Sequence, residues 1–252
     1  MKSILLAGAF GKMGQEIQNT ISKHKDWSLD AILVHEHFPE NYSGKAKIFR
    51  QLNEINQHYD LWIDVTKPDS VLKNAIWAIE HNVSPIIGTS GLKSEEIAKL
   101  KSLANKNSVS GIIVPNFSIS AVLMMYFSGI AARFMPNVSI EEIHHPDKLD
   151  APSGTARITA GILADNGANT KTVSTSTDGD KNIVEKVLIT SKRKKGYVAY
   201  QSVDFVNEYE TLSISQNSLD RKSFMPGVEL AIKKADQQKG LVVGLDKIMG
   251  LK

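Results

Sequence analysis

The sequence predicts an α/β protein: an N-terminal Rossmann-like, doubly wound parallel sheet followed by a smaller α+β domain with an antiparallel or mixed sheet. Three observations predict it. Short runs rich in Ile, Val and Leu alternate with amphipathic stretches up to residue 116. Glycines fill the turn between the first strand and the first helix. Beyond Asn116 the alternation ends, and three strand-like runs come to follow one another with no helix between them.

The strand runs of the first part are residues 4–7, 29–34, 61–65, 85–87 and 112–114, short and apolar enough for buried parallel strands. Helical patterns at 12–25, 70–81 and 94–105 lie between them; Glu95 and Glu96 open the last, where acidic groups meet the positive end of the helix dipole. Next, 121–134 reads as a long apolar helix, 138–144 as a strand and 152–165 as another helix. Residues 167–182, dense in Thr, Ser, Asp, Asn and Gly, read as a long surface loop. Strands are expected at 184–190, 197–205 and 210–215, with a hairpin turn at Val206-Asn207-Glu208-Tyr209. A helix over 224–236 and a tail with Gly240, Gly244 and Gly250 close the chain.

Composition narrows the function classes. The 252 residues are 42% hydrophobic and 23% charged, a globular balance that argues against disorder and rods. No stretch approaches the roughly 20 apolar residues of a bilayer span, and no cleavage-site pattern follows the first strand, so no membrane partner is expected. The absence of cysteine excludes a disulfide scaffold, a thiolate zinc site and a cysteine nucleophile, and fits a reducing cytoplasm. A net charge of +3 is too mild for nucleic-acid binding but suits a small anionic substrate.

The first strand runs into Gly8-Ala9-Phe10-Gly11-Lys12-Met13-Gly14. Glycines at a strand-to-helix turn allow a tight bend and let a pyrophosphate approach the backbone and the helix N-terminus. The alternative is that they permit close helix–strand packing, since Phe10 stands where the commoner fingerprint has Gly. At the end of the second strand an acid would select NAD and a cation NADP; Val34-His35-Glu36-His37 offers both, with a slight lean to NADPH through Lys12 and His35. The turns Asp64-Val65-Thr66-Lys67-Pro68, Gly88-Thr89-Ser90-Gly91 and Pro115-Asn116-Phe117-Ser118 follow later strands, at the edge where open α/β sheets bind ligands.

The segment from Glu142 to Ala156 is the most informative. It places His144 and His145 at a strand end, then Lys148, then a Pro152-Ser153-Gly154-Thr155 helix opening. An imidazole exchanges protons in neutral water, an ammonium holds carboxylates or donates a proton, and a helix N-terminus binds carboxylates. Together they suit a small dianion. No metal site is expected, because adjacent strand histidines point to opposite faces and no carboxylate spacing completes a ligand set.

These motifs resemble the 4-hydroxy-tetrahydrodipicolinate reductases (dihydrodipicolinate reductases) of lysine and diaminopimelate biosynthesis. The Glu-x-His-His-x-x-Lys-x-Asp-Ala-Pro-Ser-Gly-Thr-Ala string spans Glu142 to Ala156, and the other turns occur in family order. The resemblance implies NADPH or NADH as cofactor, a small dicarboxylate substrate, and a homotetramer built through a mixed four-stranded sheet. It implies a nucleotide domain over 1–118 completed by 224–252, and a substrate and assembly domain over 119–223. His144 would be the catalytic acid/base and Lys148 the proton donor and carboxylate partner. His145, Gly154 and Thr155 would bind substrate; Gly8, Ala9, Phe10, Gly11, Lys12, Met13, His35, Lys67, Gly88, Thr89, Ser90, Val114, Pro115, Asn116 and Phe117 would meet the nucleotide. A catalytically silent relative and another NAD(P)-dependent dehydrogenase are the competing readings.

The chain departs from the family where Gly-Glu-His gives way to Ala199-Tyr200-Gln201 and His followed by Arg or Lys to Gln216-Asn217; Lys67, Ser90 and Ser120 are lesser departures. Val203 and Phe205 share one strand face, which serves either the subunit contact or the domain's own helices, and Gln201 and Gln216 are expected at or near a sheet–sheet contact.

Overall fold

A computed structural model describes residues 1–34, 42–169 and 178–251. In chain order the elements are β1 (Lys2–Ala7), α1 (Lys12–Ile21), β2 (Trp27–Leu33), β3 (Lys47–Phe49), β4 (Leu61–Asp64), α2 (Pro68–Glu80), β5 (Ser84–Ile87), α3 (Ser94–Lys106) and β6 (Gly111–Ile113). There follow α4 (Ile119–Ala132), β7 (Val138–His144), α5 (Gly154–Asp165), β8 (Asp180–Val184), β9 (Val187–Arg193), β10 (Ala199–Val206), β11 (Thr211–Ser218), α6 (Met225–Lys234), β12 (Leu241–Val243) and α7 (Leu245–Met249). They form two compact units: Met1–Phe117 with Phe224–Lys252, and Ser118–Ser223. No helix among the described residues is long and apolar enough to cross a membrane.

In the first unit seven parallel strands run in the order β12-β6-β5-β4-β1-β2-β3. Helices cover the central strands on both faces, which is why Ile4, Leu5, Leu6 and Ala7 are all fully buried and the sequence there does not alternate. Each large aliphatic side chain buried this way contributes about 1.5–3 kcal/mol. Helix α2 starts with Pro68 and buries Val71, Asn74, Ala75, Ala78 and Ile79, the spacing of a single helical stripe. The C-terminal segment is tied back to the first strand, where the Lys2 ammonium meets Asp236 at 2.7 Å and the Ile232 carbonyl at 3.0 Å.

Two strands of this sheet escape the sequence pattern. β3 and β12 are three residues long, and β12 lies in the glycine-containing tail; both are edge strands whose ladder bonds come from a neighbour already in place.

The second unit is a mixed sheet in the order β11-β10-β7-β9-β8, five strands where the resemblance implied four. The run expected as one strand over 184–190 is a hairpin instead. Glu185 and Lys186 both take positive φ, 48° and 66°, so the chain reverses between β8 and β9, and β8 occupies part of the expected surface loop. Neither residue is Gly or Asn, so the turn carries no sequence signature.

Register fixes the faces of this sheet. Gln201, Val203 and Phe205 of β10 stand opposite Glu142, Ile140 and Val138 of β7 and opposite Gln216, Ile214 and Leu212 of β11. This side is covered by α4 and α5 of the same unit; Val203 and Phe205 are fully buried, and the Gln201 side-chain amide donates to the Thr159 hydroxyl of α5 at 2.8 Å. The expectation of a sheet–sheet position for Gln201 and Gln216 is therefore corrected: they are cross-strand partners beneath the unit's own helices. The opposite face carries Ser139, Glu141 and Ile143 beside Ser202, Asp204 and Tyr200, with Lys192 paired to Glu141 at 2.7 Å.

Candidate functional site

In the first unit the candidate nucleotide residues follow the carboxyl ends of β1, β4, β5 and β6, four neighbouring strands, so the topology sets their loops side by side. Gly8 turns the chain with φ of 87°, and a Cβ there would sit 2.5 Å from the Val65 carbonyl oxygen. Gly14 lets α1 press on that turn, since a Cβ would come within 2.2 Å of the Gly8 carbonyl oxygen. Both the phosphate-approach and the close-packing readings of this motif are thus compatible with one geometry. Gly11 caps α1 without a side-chain bond, and Lys12 is exposed beside it. The Phe10 and Tyr42 rings meet edge to face, 5.6 Å between centroids. His35 lies outside the described residues, as do Glu36 and His37.

Asp64, at the end of β4, organises two of these loops. Its carboxylate is fully buried and accepts five donors. Oδ1 takes the Thr66 backbone N–H at 3.1 Å, the Thr66 hydroxyl at 2.6 Å and the Thr89 hydroxyl at 2.7 Å. Oδ2 takes the Asn74 amide at 2.8 Å and the Trp62 indole N–H at 3.3 Å. The Asp64 backbone carbonyl also accepts from Gly88 and Thr89. Lys67 caps α2 and is exposed, as is Ser90; Thr89 is buried by its bond to Asp64. Val114 bonds the Ile87 carbonyl, Pro115 is exposed and Asn116 half-buried, and the buried Phe117 ring packs on Gly88.

In the second unit the 142–156 segment folds around another carboxylate. Glu142, on the central strand β7, has no exposed side-chain surface. Its Oε1 accepts the Ser153 backbone N–H at 2.9 Å and the Ser191 hydroxyl at 2.7 Å, binding the start of α5 and β9 to β7. Its Oε2 faces His144 Nε2 at 3.4 Å, an electrostatic approach longer than an aligned hydrogen bond, and has no other polar partner among the described residues. Burial pushes the Glu142 carboxyl up, but His144, Ser153 and Ser191 more than offset it and hold the carboxyl at about 2.

The sign of that shift makes a prediction. A carboxyl held below its ordinary 4.5 stabilises the fold fully above that pH and loses the contribution as pH falls toward 2; the size is about 3 kcal/mol. The stability gap between the wild-type chain and Glu142→Gln, read from urea midpoints, should narrow between pH 4.5 and 2. A gap constant over that range would contradict it.

Around this centre His145 is half-buried, its Nδ1 3.9 Å from Asp147. The Lys148 ammonium pairs with Asp150 at 2.6 Å; burial raises the Asp150 carboxyl, and Lys148 more than reverses this, leaving it below its ordinary value. Arg193 of β9 donates from Nε to the Lys148 carbonyl at 3.0 Å and from Nη2 to the Asp150 carbonyl, fixing the loop between them. Ser153 caps α5 by accepting from Ala156 at 3.2 Å, and Gly154 and Thr155 form the first turn, with open space where a Gly154 Cβ would stand. No group of three or more His, Cys, Asp or Glu side chains among the described residues is arranged to hold a metal ion.

Sequence reasoning gave no role to Asp64 or Glu142, although both stand inside the motifs, and missed Ser191 and Arg193 altogether. The first two carry a legible signal, an acid at or near the end of a strand, Asp64 as the last residue of β4 and Glu142 two residues before the end of β7; the last two come from β9, 43 to 49 residues along the chain from their partners.

The comparisons agree with this layout. A family described as "Dihydrodipicolinate reductase, N-terminus" matches residues 2–117, and "Dihydrodipicolinate reductase, C-terminus" matches residues 120–249. The 4-hydroxy-tetrahydrodipicolinate reductase of Lactobacillus acidophilus is 42% identical, with 98% of each chain covered. That of Enterococcus faecalis is 36% identical, over 99% of this chain and all of the relative. Among solved structures, the dipicolinate-bound dihydrodipicolinate reductase from Paenisporosarcina sp. TG-14 is 33% identical, with a TM-score of 0.85 over 98% of this chain and 99% of that one. An amine dehydrogenase from Mycobacterium smegmatis, 12% identical with a TM-score of 0.69, shares the fold.

Proposed function

The chain belongs to the dihydrodipicolinate reductase family, and from that premise we propose how its residues divide the work of the reaction. The protein is an NAD(P)H-dependent oxidoreductase that reduces 4-hydroxy-tetrahydrodipicolinate in lysine and diaminopimelate biosynthesis. The bound nucleotide supplies a hydride. On our reading the loops Gly8 to Met13, Lys67, Gly88 to Ser90 and Val114 to Phe117 of the first unit hold it, the glycine turn and the start of α1 meeting its phosphates. This fits the turn itself, in which Gly8 takes a positive φ and Gly11 caps α1 with no side-chain bond to the first N–H groups of the helix.

The second unit takes the dicarboxylate. Lys148 carries a positive charge for one carboxylate, and Gly154 and Thr155 offer the first turn of α5 to another; His145 adds a polar contact. His144 gives the proton that quenches the charge left on the substrate when a hydride is added. The observation that carries this assignment is the fold of residues 142–155 around Glu142, which sets His144 and the opening of α5 against one carboxylate. A reaction in the cytoplasm belongs to the same proposal, since nucleotide and substrate are both water-soluble ions. The test is an assay with NADPH or NADH and substrate generated in place by the preceding synthase. Oxidation of the nucleotide that depends on the synthase supports the assignment, and none at micromolar enzyme would defeat it.

We also propose a homotetramer, assembled through the sheet face that α4 and α5 leave uncovered. Its serines and threonines are small enough for close sheet contact, and Lys192 and Glu141 are already paired. Light scattering at micromolar concentration should return about four times the 27.7 kDa of one chain. A mass of one chain would refute the assembly.

A further inference from the structure

We propose that Glu142 is the positioning residue for His144: its carboxylate holds the ring proton on Nε2 and so presents Nδ1 as the atom that exchanges a proton with substrate. The inference rests on the acid/base reading of His144 and goes beyond it by assigning the ring nitrogen and the group that selects it.

Three features of the structure lead here. First, the two oxygens of Glu142 are used differently. Oε1 is committed to Ser153 N–H and the Ser191 hydroxyl, while Oε2 has His144 Nε2 as its polar neighbour at 3.4 Å and no other among the described residues. A buried carboxylate oxygen is an acceptor only, so it favours the tautomer with N–H on the facing nitrogen. Second, the groups beside Glu142 in the sheet do not compete for Oε2. Gln201 stands opposite it on β10, but the Gln201 amide donates to Thr159. Third, none of the hydrogen bonds among the described residues uses His144 Nδ1, this nitrogen is not among the buried polar atoms left without a partner, and the side chain keeps 13% of its surface exposed, which leaves the ring open to a ligand.

The Ser153 bond adds a second function to the same carboxylate. Because Ser153 caps α5, the catalytic ring and the helix turn proposed to hold a substrate carboxylate are referenced to one fixed group. Proton donor and carboxylate site then keep their spacing through the reaction, which is the condition for efficient acid catalysis.

A double-mutant cycle tests this. His144→Gln, Glu142→Gln and the double variant are compared with the wild-type enzyme by kcat and by KM for nucleotide and substrate. Glu142→Gln keeps the shape of the side chain but can turn an N–H toward Nε2, which reverses the tautomer. Its kcat should fall at least about tenfold, part of the 10²–10⁴-fold that acid–base catalysis supplies, with KM for nucleotide unchanged. The double variant should lie within about twofold of His144→Gln alone. Losses that multiply would make Glu142 a purely structural residue, and a kcat within twofold of wild type for Glu142→Gln would equally overturn the proposal. His144→Gln by itself decides the underlying acid/base reading, so the two failures are told apart. If Glu142→Gln does not fold, Ser191→Ala, which loosens Oε1 and leaves the charge in place, enters the same cycle. It should lose several-fold in kcat in the wild-type background and nothing further beside His144→Gln; a loss in both backgrounds would refute the positioning role.

Discussion

Replacing His144 with Gln is expected to lower kcat by about 10²–10⁴-fold, the worth of a positioned general acid or base, while KM for the substrate moves only a few-fold. The reason lies in where the ring stands. His144 ends the central strand β7, nearly buried, with one ring nitrogen turned to Glu142 and its backbone carbonyl held by the Lys194 N–H at 2.9 Å. Gln can reach a similar place and offer a hydrogen bond, so binding survives, but an amide does not exchange a proton at neutral pH. Lys148→Ala should behave differently. Its ammonium, proposed to hold a carboxylate in ground and transition states alike, would cost both KM and kcat, and the variant would also release Asp150 from its partner. Steady-state kinetics on the two variants at saturating nucleotide separate the roles. A His144→Gln enzyme within twofold of the parent would remove His144 from the chemistry.

The difference between what the sequence discloses and what it hides follows from distance along the chain. The glycine turn, the strand-end turns and the 142–156 string are local, and their chemistry is readable because residues that act together are neighbours in sequence. The parallel core of β1, β4 and β5 is legible for the same reason: strands covered on both faces must be continuous apolar runs. Arg193 and Ser191 are not legible. Each reaches its partner across the β7–β9 pairing, a register that no local pattern announces. The turn at Glu185 and Lys186 is hidden for another reason, since residues with ordinary preferences are held at positive φ by the pairing of β8 with β9 on either side. Gln201 and Gln216 show a third kind of gap. That they depart from the usual family residues is visible from the sequence, but that they face each other beneath α4 and α5 emerges only from the register of β10 and β11.

Asp64→Asn is expected to be the most damaging single change in the first unit that leaves volume untouched. The wild-type carboxylate accepts from Trp62, Asn74, Thr89 and, twice, Thr66 without any exposed surface of its own. An amide has one acceptor oxygen and one NH2 group, so either the Thr66–Thr89 side or the Trp62–Asn74 side would meet a donor in place of an acceptor. Each buried donor left unpaired costs about 1–3 kcal/mol, and the two hydroxyls escape only by turning away. If the amide nitrogen faces Trp62 and Asn74, two donors lose their acceptor and the loss is about 2–6 kcal/mol, which at roughly 2–4 °C per kcal/mol for a chain of this size lowers Tm by about 4–24 °C. If it faces Thr66 and Thr89, the cost falls on the loops that carry Lys67 and Ser90, and the proposed nucleotide contacts loosen. KM for the nucleotide should then rise about tenfold with kcat at saturation changed less than threefold, because nothing around His144 is altered. Thermal unfolding and nucleotide titration on one preparation read both outcomes. An Asn variant with Tm within 2 °C and KM within twofold of the wild type would show that the five-donor arrangement around Asp64 contributes little to either.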